Sequence, residues 1–184
     1  VSGNSLNENI QMDTTKITEC GNLNQADTVY TLNQSIETSS ECFTIGANNI
    51  TFDMAGYNIT GTPYDSSNCN SDCCDGCGYD DCINAECEWY NKESFPDLIT
   101  NTGYNSSTIK NGKLINFSIG VLLSGSSNNF IYDMNMSSAS IFYSIGIYLS
   151  SSSEHNNIEN IIINSSGTGI GFYDSDYNNL TNIT

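Results

Sequence analysis

Three observations predict an all-β chain wound as a right-handed parallel β-helix. Good helix formers are scarce, Ile, Tyr and Phe recur at short spacing, and the second half of the chain repeats in columns. The anchors of the repeat are Ile109, Ile131, Ile158 and Leu180, at intervals of 22, 27 and 22 residues. Two residues after them stand Asn111, Asp133, Asn160 and Asn182, and five after the first three stand Leu114, Met136 and Ile163. Another column is Gly120, Gly146 and Gly169. Val121, Ile147 and Ile170 follow these glycines directly, and Leu123, Leu149 and Phe172 lie three positions beyond them.

A period of this length is too short for two packed helices with their loops. Leucine-rich repeats would need Leu at fixed close spacing, and left-handed hexapeptide helices a shorter period. A coil of two or three short strands per row fits, with each strand pairing with its counterpart in the next row about 4.8 Å away. Apolar columns then stack inside. The asparagine column belongs at a corner, because Asn tolerates left-handed backbone and its amide can bond to the next row. The stretches SGSSNN and SSSSEHNN read as outward turns, where row length varies.

Taken in order, residues 1–16 form an N-terminal extension with no place in the repeat, a candidate for reaching a neighbouring chain by strand addition. Residues 17–184 form the β-helix domain. It is interrupted at 64–98, between the only two prolines, Pro63 and Pro96, by a polar, cysteine-rich insertion. The last residues, NNLTNIT, read as the first strand of a further row, whose open edge another row or a neighbouring subunit would cover.

These rows resemble the parallel β-helix repeats of the pectin-lyase-like and NosD-like families. The segment ITECGNLNQADTVYTLNQSIETSSECFTIGANNITFDMAGYNITG is similar to the opening segment of secreted archaeal β-helix surface proteins. Together the resemblance covers about residues 17–62 and 100–184. It implies the fold, and it implies that Cys20 and Cys42 pair. It says far less about activity, because this solenoid carries many functions.

The remaining six cysteines, Cys69, Cys73, Cys74, Cys77, Cys82 and Cys87, all lie in the insertion. A metal site wants two separated pairs, whereas only one CxxC is present here (Cys74 to Cys77), with irregular spacing elsewhere and no histidine nearby. Three disulfides, in any of the fifteen connectivities, are therefore expected in preference to zinc, an iron–sulfur cluster or a redox centre. Asp72, Asp75, Asp80 and Asp81 lack the spacing of a calcium-binding loop and read as solvated charge.

The formal charge is −17, with four lysines and no arginine. That balance argues against nucleic acid and against an anionic membrane surface. No apolar run is long enough to span a bilayer, so membrane insertion is not expected. Sequons occur at Asn33, Asn49, Asn58, Asn105, Asn116, Asn135, Asn164, Asn179 and Asn182. An Asn- and Ser-rich composition generates most of these by chance, but with an even number of cysteines they favour an oxidising, extracellular location at the cell surface.

Catalytic chemistry has little to stand on. Lyase chemistry on this fold commonly uses an arginine, and the chain has none. Lys110 and Lys113 share a row, as two lysines on a solvated face often do. Hydrolase chemistry needs converging carboxylates. Asp174 and Asp176 read as a turn, Asp133 as a corner residue, and His155, beside Glu154, as a surface histidine. Trp89 and Tyr90 are able to stack on a sugar ring or to cap the insertion. Copper handling would want clustered His and Met, but Met12, Met54, Met134 and Met136 form no cluster with histidine, and Met134 and Met136 read as core of one row. No catalytic residue, metal ligand or cofactor is assigned. The expected role is a secreted, N-glycosylated structural solenoid of the cell surface or an extracellular filament, self-associating or adhesive. A carbohydrate-active enzyme or a glycan-binding surface domain is the alternative.

Overall fold

The computed structural model describes residues 13–63, 95–138, 144–165 and 167–184. These residues form fifteen strands and no helix. The early turns of the coil use short strands: β1 (Asp13–Ile17) and β2 (Gly21–Leu23), then β3 (Thr28–Leu32), β4 (Ile36–Thr38) and β5 (Phe43–Ile45), then β6 (Thr51–Asp53), β7 (Asn58–Gly61) and β8 (Ile99–Thr102). Later turns use two longer strands each: β9 (Thr108–Ile115) and β10 (Ile119–Ser124), β11 (Phe130–Ser138) and β12 (Ile145–Ser150), β13 (Asn157–Ser165) and β14 (Thr168–Tyr173). The last described strand is β15 (Asn179–Ile183). The first strand thus begins at Asp13, ahead of the boundary expected at residue 17.

All pairings are parallel, so the chain is a parallel β-solenoid. The larger sheet runs β1-β3-β6-β9-β11-β13-β15, with β4 and β7 joined at its side through β9. The smaller sheet runs β2-β5-β8-β10-β12-β14. The columns read from the sequence are the register itself. Ile131 pairs with Ile109 and Ile158, Met136 with Leu114 and Ile163, and Ile147 with Val121 and Ile170.

The number of strands per turn changes for a reason visible in the backbone. Between β6 and β7 the chain leaves the sheet through Ala55 (φ 51°) and Gly56 (φ 84°). In later rows a single left-handed residue does the same work, Asn111 (φ 58°), Asp133 (φ 54°), Asn160 (φ 54°) and Asn182 (φ 53°), so two short strands fuse into one bent strand. That residue also shifts the two-residue alternation by one place. Ile131 points inward before the bend, and Met134 and Met136 point inward after it. Lys110 and Lys113 consequently both point outward on β9, on opposite sides of the bend.

Row length varies in a different place from the one expected. Ile109 and Val121 are 12 residues apart, whereas their partners Ile131 and Ile147 are 16 apart. Four of the five extra residues of the long row therefore fall between β11 and β12. The serine-rich turn after β12 takes only the fifth, where Ser151 and Ser152 are both left-handed.

The core is a single stack of Ile, Leu, Val, Phe and Met between the sheets. Phe43 on the smaller sheet meets Phe52 on the larger one across the interior, ring centroids 4.7 Å apart. Each fully buried aliphatic or aromatic side chain contributes about 2 kcal/mol. Met54 fills the space that the missing side chain of Gly112 leaves in the next row. One column breaks the apolar rule: Asn101 lies buried between Ile45 and Leu123.

Candidate functional site

The polar side chains that the chain carries in such number are organised into three ladders running along the coil. The first lies at the strand bend. The Nδ2 of Asn182 donates to the Oδ1 of Asn160 (3.0 Å), that of Asn160 to Asp133 (3.1 Å), and that of Asn111 to Asp53 (3.1 Å). Every amide donates toward the preceding row. The carboxylate of Asp133 accepts in this direction but has no hydrogen to give, and no hydrogen bond joins it to Asn111 among the described residues.

The second ladder is buried at Asn129 and Asn156 and half-buried at Asn178, and the sequence reading did not anticipate it. Asn129, Asn156 and Asn178 each stand two residues before a row anchor. The Oδ1 of Asn156 accepts from both the backbone N–H (2.8 Å) and the Nδ2 (2.9 Å) of Asn129, and the Oδ1 of Asn178 accepts the same pair from Asn156 (2.9 and 3.0 Å). The third ladder is Ser126, Ser153 and Ser175. The Oγ of Ser153 accepts the N–H of Ser126, that of Ser175 accepts the N–H of Ser153, and the single hydroxyl hydrogen of Ser153 faces the backbone carbonyls of Ser150 (2.7 Å) and Leu123 (3.1 Å). The stretches expected to be outward turns therefore send Ser126, Asn129, Ser153 and Asn156 inside. The signal was present as Ser-x-x-Asn in three rows (126–129, 153–156, 175–178), but polar runs between strands look like exposed loop.

On the outer face of the larger sheet the Nζ of Lys110 lies 3.2 Å from the Oδ2 of Asp53 and 5.9 Å from the centroid of the Tyr132 ring. Phe130 packs on Tyr132, centroids 4.5 Å apart. The cation, the phenol and the phenyl ring thus form one self-contained cluster. Burial alone would push Asp53 up, but the Ala55 N–H, the Asn111 amide and Lys110 together hold its carboxyl below the usual value. Burial works against the charged form of Lys110, and Asp53 overcomes it and raises the lysine. Lys113, across the bend, pairs in register with Asn58 and Asn135, so the two lysines do not converge.

A second acidic group lies where the chain re-enters the coil at Pro96. The Oε1 of Glu41 accepts from the hydroxyls of Thr44 and Thr100, the latter at 2.6 Å. Asp97 accepts the N–H of Ile119 (3.0 Å). Burial, reinforced by the charge of Glu41, raises the carboxyl of Asp97 above its ordinary value despite that bond.

The other residues singled out in the sequence are dispersed. His155 has φ 55° and stacks on Tyr177 at the surface, centroids 5.4 Å apart. Asp174 and Asp176 are exposed in the turn after β14, where the carbonyl of Asp174 accepts the N–H of Ser152 (2.6 Å). Met54, Met134 and Met136 are core residues. Cys20 and Cys42 form a disulfide, with Cα atoms 4.5 Å apart. Cys69, Cys73, Cys74, Cys77, Cys82 and Cys87, the aspartates among them, Trp89, Tyr90 and Met12 lie outside the described residues. Among the described residues no three His, Cys, Asp or Glu side chains are grouped to hold a metal ion, and no helix is long and apolar enough to cross a membrane.

The sequons divide by what their amides do. Asn49 donates to Asp27, Asn179 to Asn157 and Asn182 to Asn160, and the Oδ1 of Asn105 accepts the N–H of Ser127. Asn116 is left-handed (φ 53°) at a corner. Asn33, Asn58, Asn135 and Asn164 have no side-chain partner among the described residues. Comparison with family models, curated proteins and solved structures found no match for the chain.

Proposed function

We propose that the chain is a structural β-solenoid of an extracellular surface or filament, self-associating or adhesive, and not an enzyme. One observation carries the reading: the polar side chains that recur in columns along the repeat are engaged along the coil axis. Asn129, Asn156 and Asn178, with Ser126, Ser153 and Ser175, bond row to row in two buried or half-buried ladders, and Asp53, Asp133, Asn160 and Asn182 do so at the bend. Ladders of this type resist shear and unwinding, because each row is both hydrogen-bonded and packed to its neighbours, which is what a load-transmitting or surface-forming rod requires. The Cys20–Cys42 disulfide and the sequons support an oxidising compartment. The repeat pattern supports kinship with secreted β-helix proteins of the pectin-lyase-like and NosD-like type, including archaeal surface proteins.

Electron microscopy of the native material at neutral pH, combined with a binding screen on cell envelopes, tests this. Regular filaments, sheets or envelope attachment are expected. Dispersed particles that bind no surface, or that cleave a polysaccharide, would overturn the reading.

A further inference from the structure

We propose that the second outer face of the larger sheet, beyond the strand bend, is a glycan-bearing face, with Asn58, Asn135 and Asn164 as its N-linked acceptors. This deepens the reading of an extracellular protein and rests on it.

The argument begins with the geometry of a strand. Residues i and i+2 of a strand point to the same side, so a sequon lying within a strand presents its acceptor amide and its hydroxyl together. Three of the sequons do this within described strands, but Asn179, with Thr181 on β15, already donates its amide to Asn157, which leaves two. On β7, Asn58 and Thr60 both face outward around the buried Ile59, and on β11 Asn135 and Ser137 do so around the buried Met136. The register then brings the sites together. Asn58 and Asn135 both pair with Lys113, one on each side, so they share a column two strand spacings apart, about 10 Å. On β13, Asn164 pairs with Ser137, in the column that also holds Ile115 and Thr60. Three of the four sequon amides without a side-chain partner therefore fall on one face of the coil. Asn33 is the fourth and stands in a turn, where the hydroxyl of its sequon serine, Ser35, already holds the N–H of Asn58 (3.1 Å).

Chemistry separates these three from the rest. In the transfer, the amide Nδ2 forms a bond to C1 of a sugar carried on a lipid phosphate. The C1–O bond breaks, the lipid phosphate leaves, and the amide proton passes to the transferase's base. A folded coil accommodates the product only where the amide points to solvent. At Asn49, Asn179 and Asn182 the Nδ2 is a donor inside the coil's own bonding, and at Asn105 the half-buried amide caps Ser127 at 2.6 Å. The favoured face also carries Ile162, 46% exposed, between the acceptor positions. An attached oligosaccharide would shield it and leave the other faces for contacts between copies.

Glycopeptide mass spectrometry of the native secreted protein tests the assignment. Hexose or N-acetylhexosamine increments are expected on peptides containing Asn58, Asn135 and Asn164, with none at Asn49, Asn105, Asn179 or Asn182. The Asn135→Gln variant should lose one increment and keep its fold. Unmodified amides at all three positions, or a glycan on any of the other four, overturns it. If the same material forms filaments while Asn58, Asn135 and Asn164 are bare, this inference falls and the structural reading stands. Glycans at the expected sites on particles that neither assemble nor attach would do the reverse.

Discussion

Two residues of one column show how differently polar groups act inside this coil. Ser107, Asn129, Asn156 and Asn178 occupy equivalent places immediately before the long strands. Asn156 is fully engaged: its Oδ1 accepts two bonds from Asn129, and its Nδ2 donates to the carbonyl of Ser126 (3.1 Å) and to Asn178. The Oγ of Ser107, in contrast, is buried without a partner among the described residues, next to the row in which Ile50 occupies the column. Asn156→Ala strands two donors of Asn129 and the carbonyl of Ser126, each costing roughly 1–3 kcal/mol with partial relaxation, while the Oδ1 of Asn178 keeps the backbone N–H of residue 156. A loss of about 3 kcal/mol is expected in denaturant unfolding. Ser107→Ala removes a buried hydroxyl that bonds to nothing and should be neutral or slightly stabilising. Equal losses from both substitutions would mean that the column acts only through volume.

At the scale of the strand, the glycine column sets how closely successive turns of the smaller sheet approach. A Cβ on Gly120 would lie 2.5 Å from the carbonyl oxygen of Gly146, and one on Gly146 would lie 2.6 Å from that of Gly169 and 3.0 Å from Ile163. On Gly169 the nearest atom would be 4.0 Å away. Backbone on both sides cannot yield as a flexible side chain would. Alanine at position 120 or 146 should therefore cost about 1–3 kcal/mol, and at 169 very little, in thermal melts of the three variants. A uniform effect would point to strand propensity as the cause. The contrast also shows what the sequence could reveal. The apolar and glycine columns were legible because the interior of a coil demands the same class of residue in every row, and the left-handed Asn column was legible for the same reason. Asn129, Asn156, Ser126 and Ser153 were not, since a buried amide differs from an exposed one only in its partners. The placing of four extra residues between β11 and β12 was legible in the spacing of Met136 and Ile147 against Leu114 and Val121, but a serine-rich turn looked the more natural place for a row to lengthen.

Over the whole molecule, the coil is nearly one-dimensional: each row touches only the rows before and after it, so stability is a sum of row terms and neighbour terms. That makes the Cys20–Cys42 disulfide a local device. It ties the turn before β2 to the start of β5, where the N–H of Gly21 also donates to the carbonyl of Cys42 (2.8 Å), and where Phe43 bonds on to Leu98 of the following row (2.9 Å). Closing a loop of 22 residues restricts the unfolded chain by about 3 kcal/mol in the chain-entropy model. In a globular domain that energy would protect every amide alike. In a nearest-neighbour coil it protects the rows it joins and fades along the stack. Replacing both cysteines with serine should therefore speed hydrogen exchange in β2, β3 and β5 by roughly a hundredfold, and leave β11 and β13 nearly unchanged. Native-state exchange read strand by strand decides the matter. Acceleration confined to the first rows fits a rod whose segments hold independently, as a load-transmitting solenoid needs. Equal acceleration as far as β13 would make the chain a single cooperative unit, and the row-to-row ladders would then have to be treated as one network whose failure at any point releases the whole.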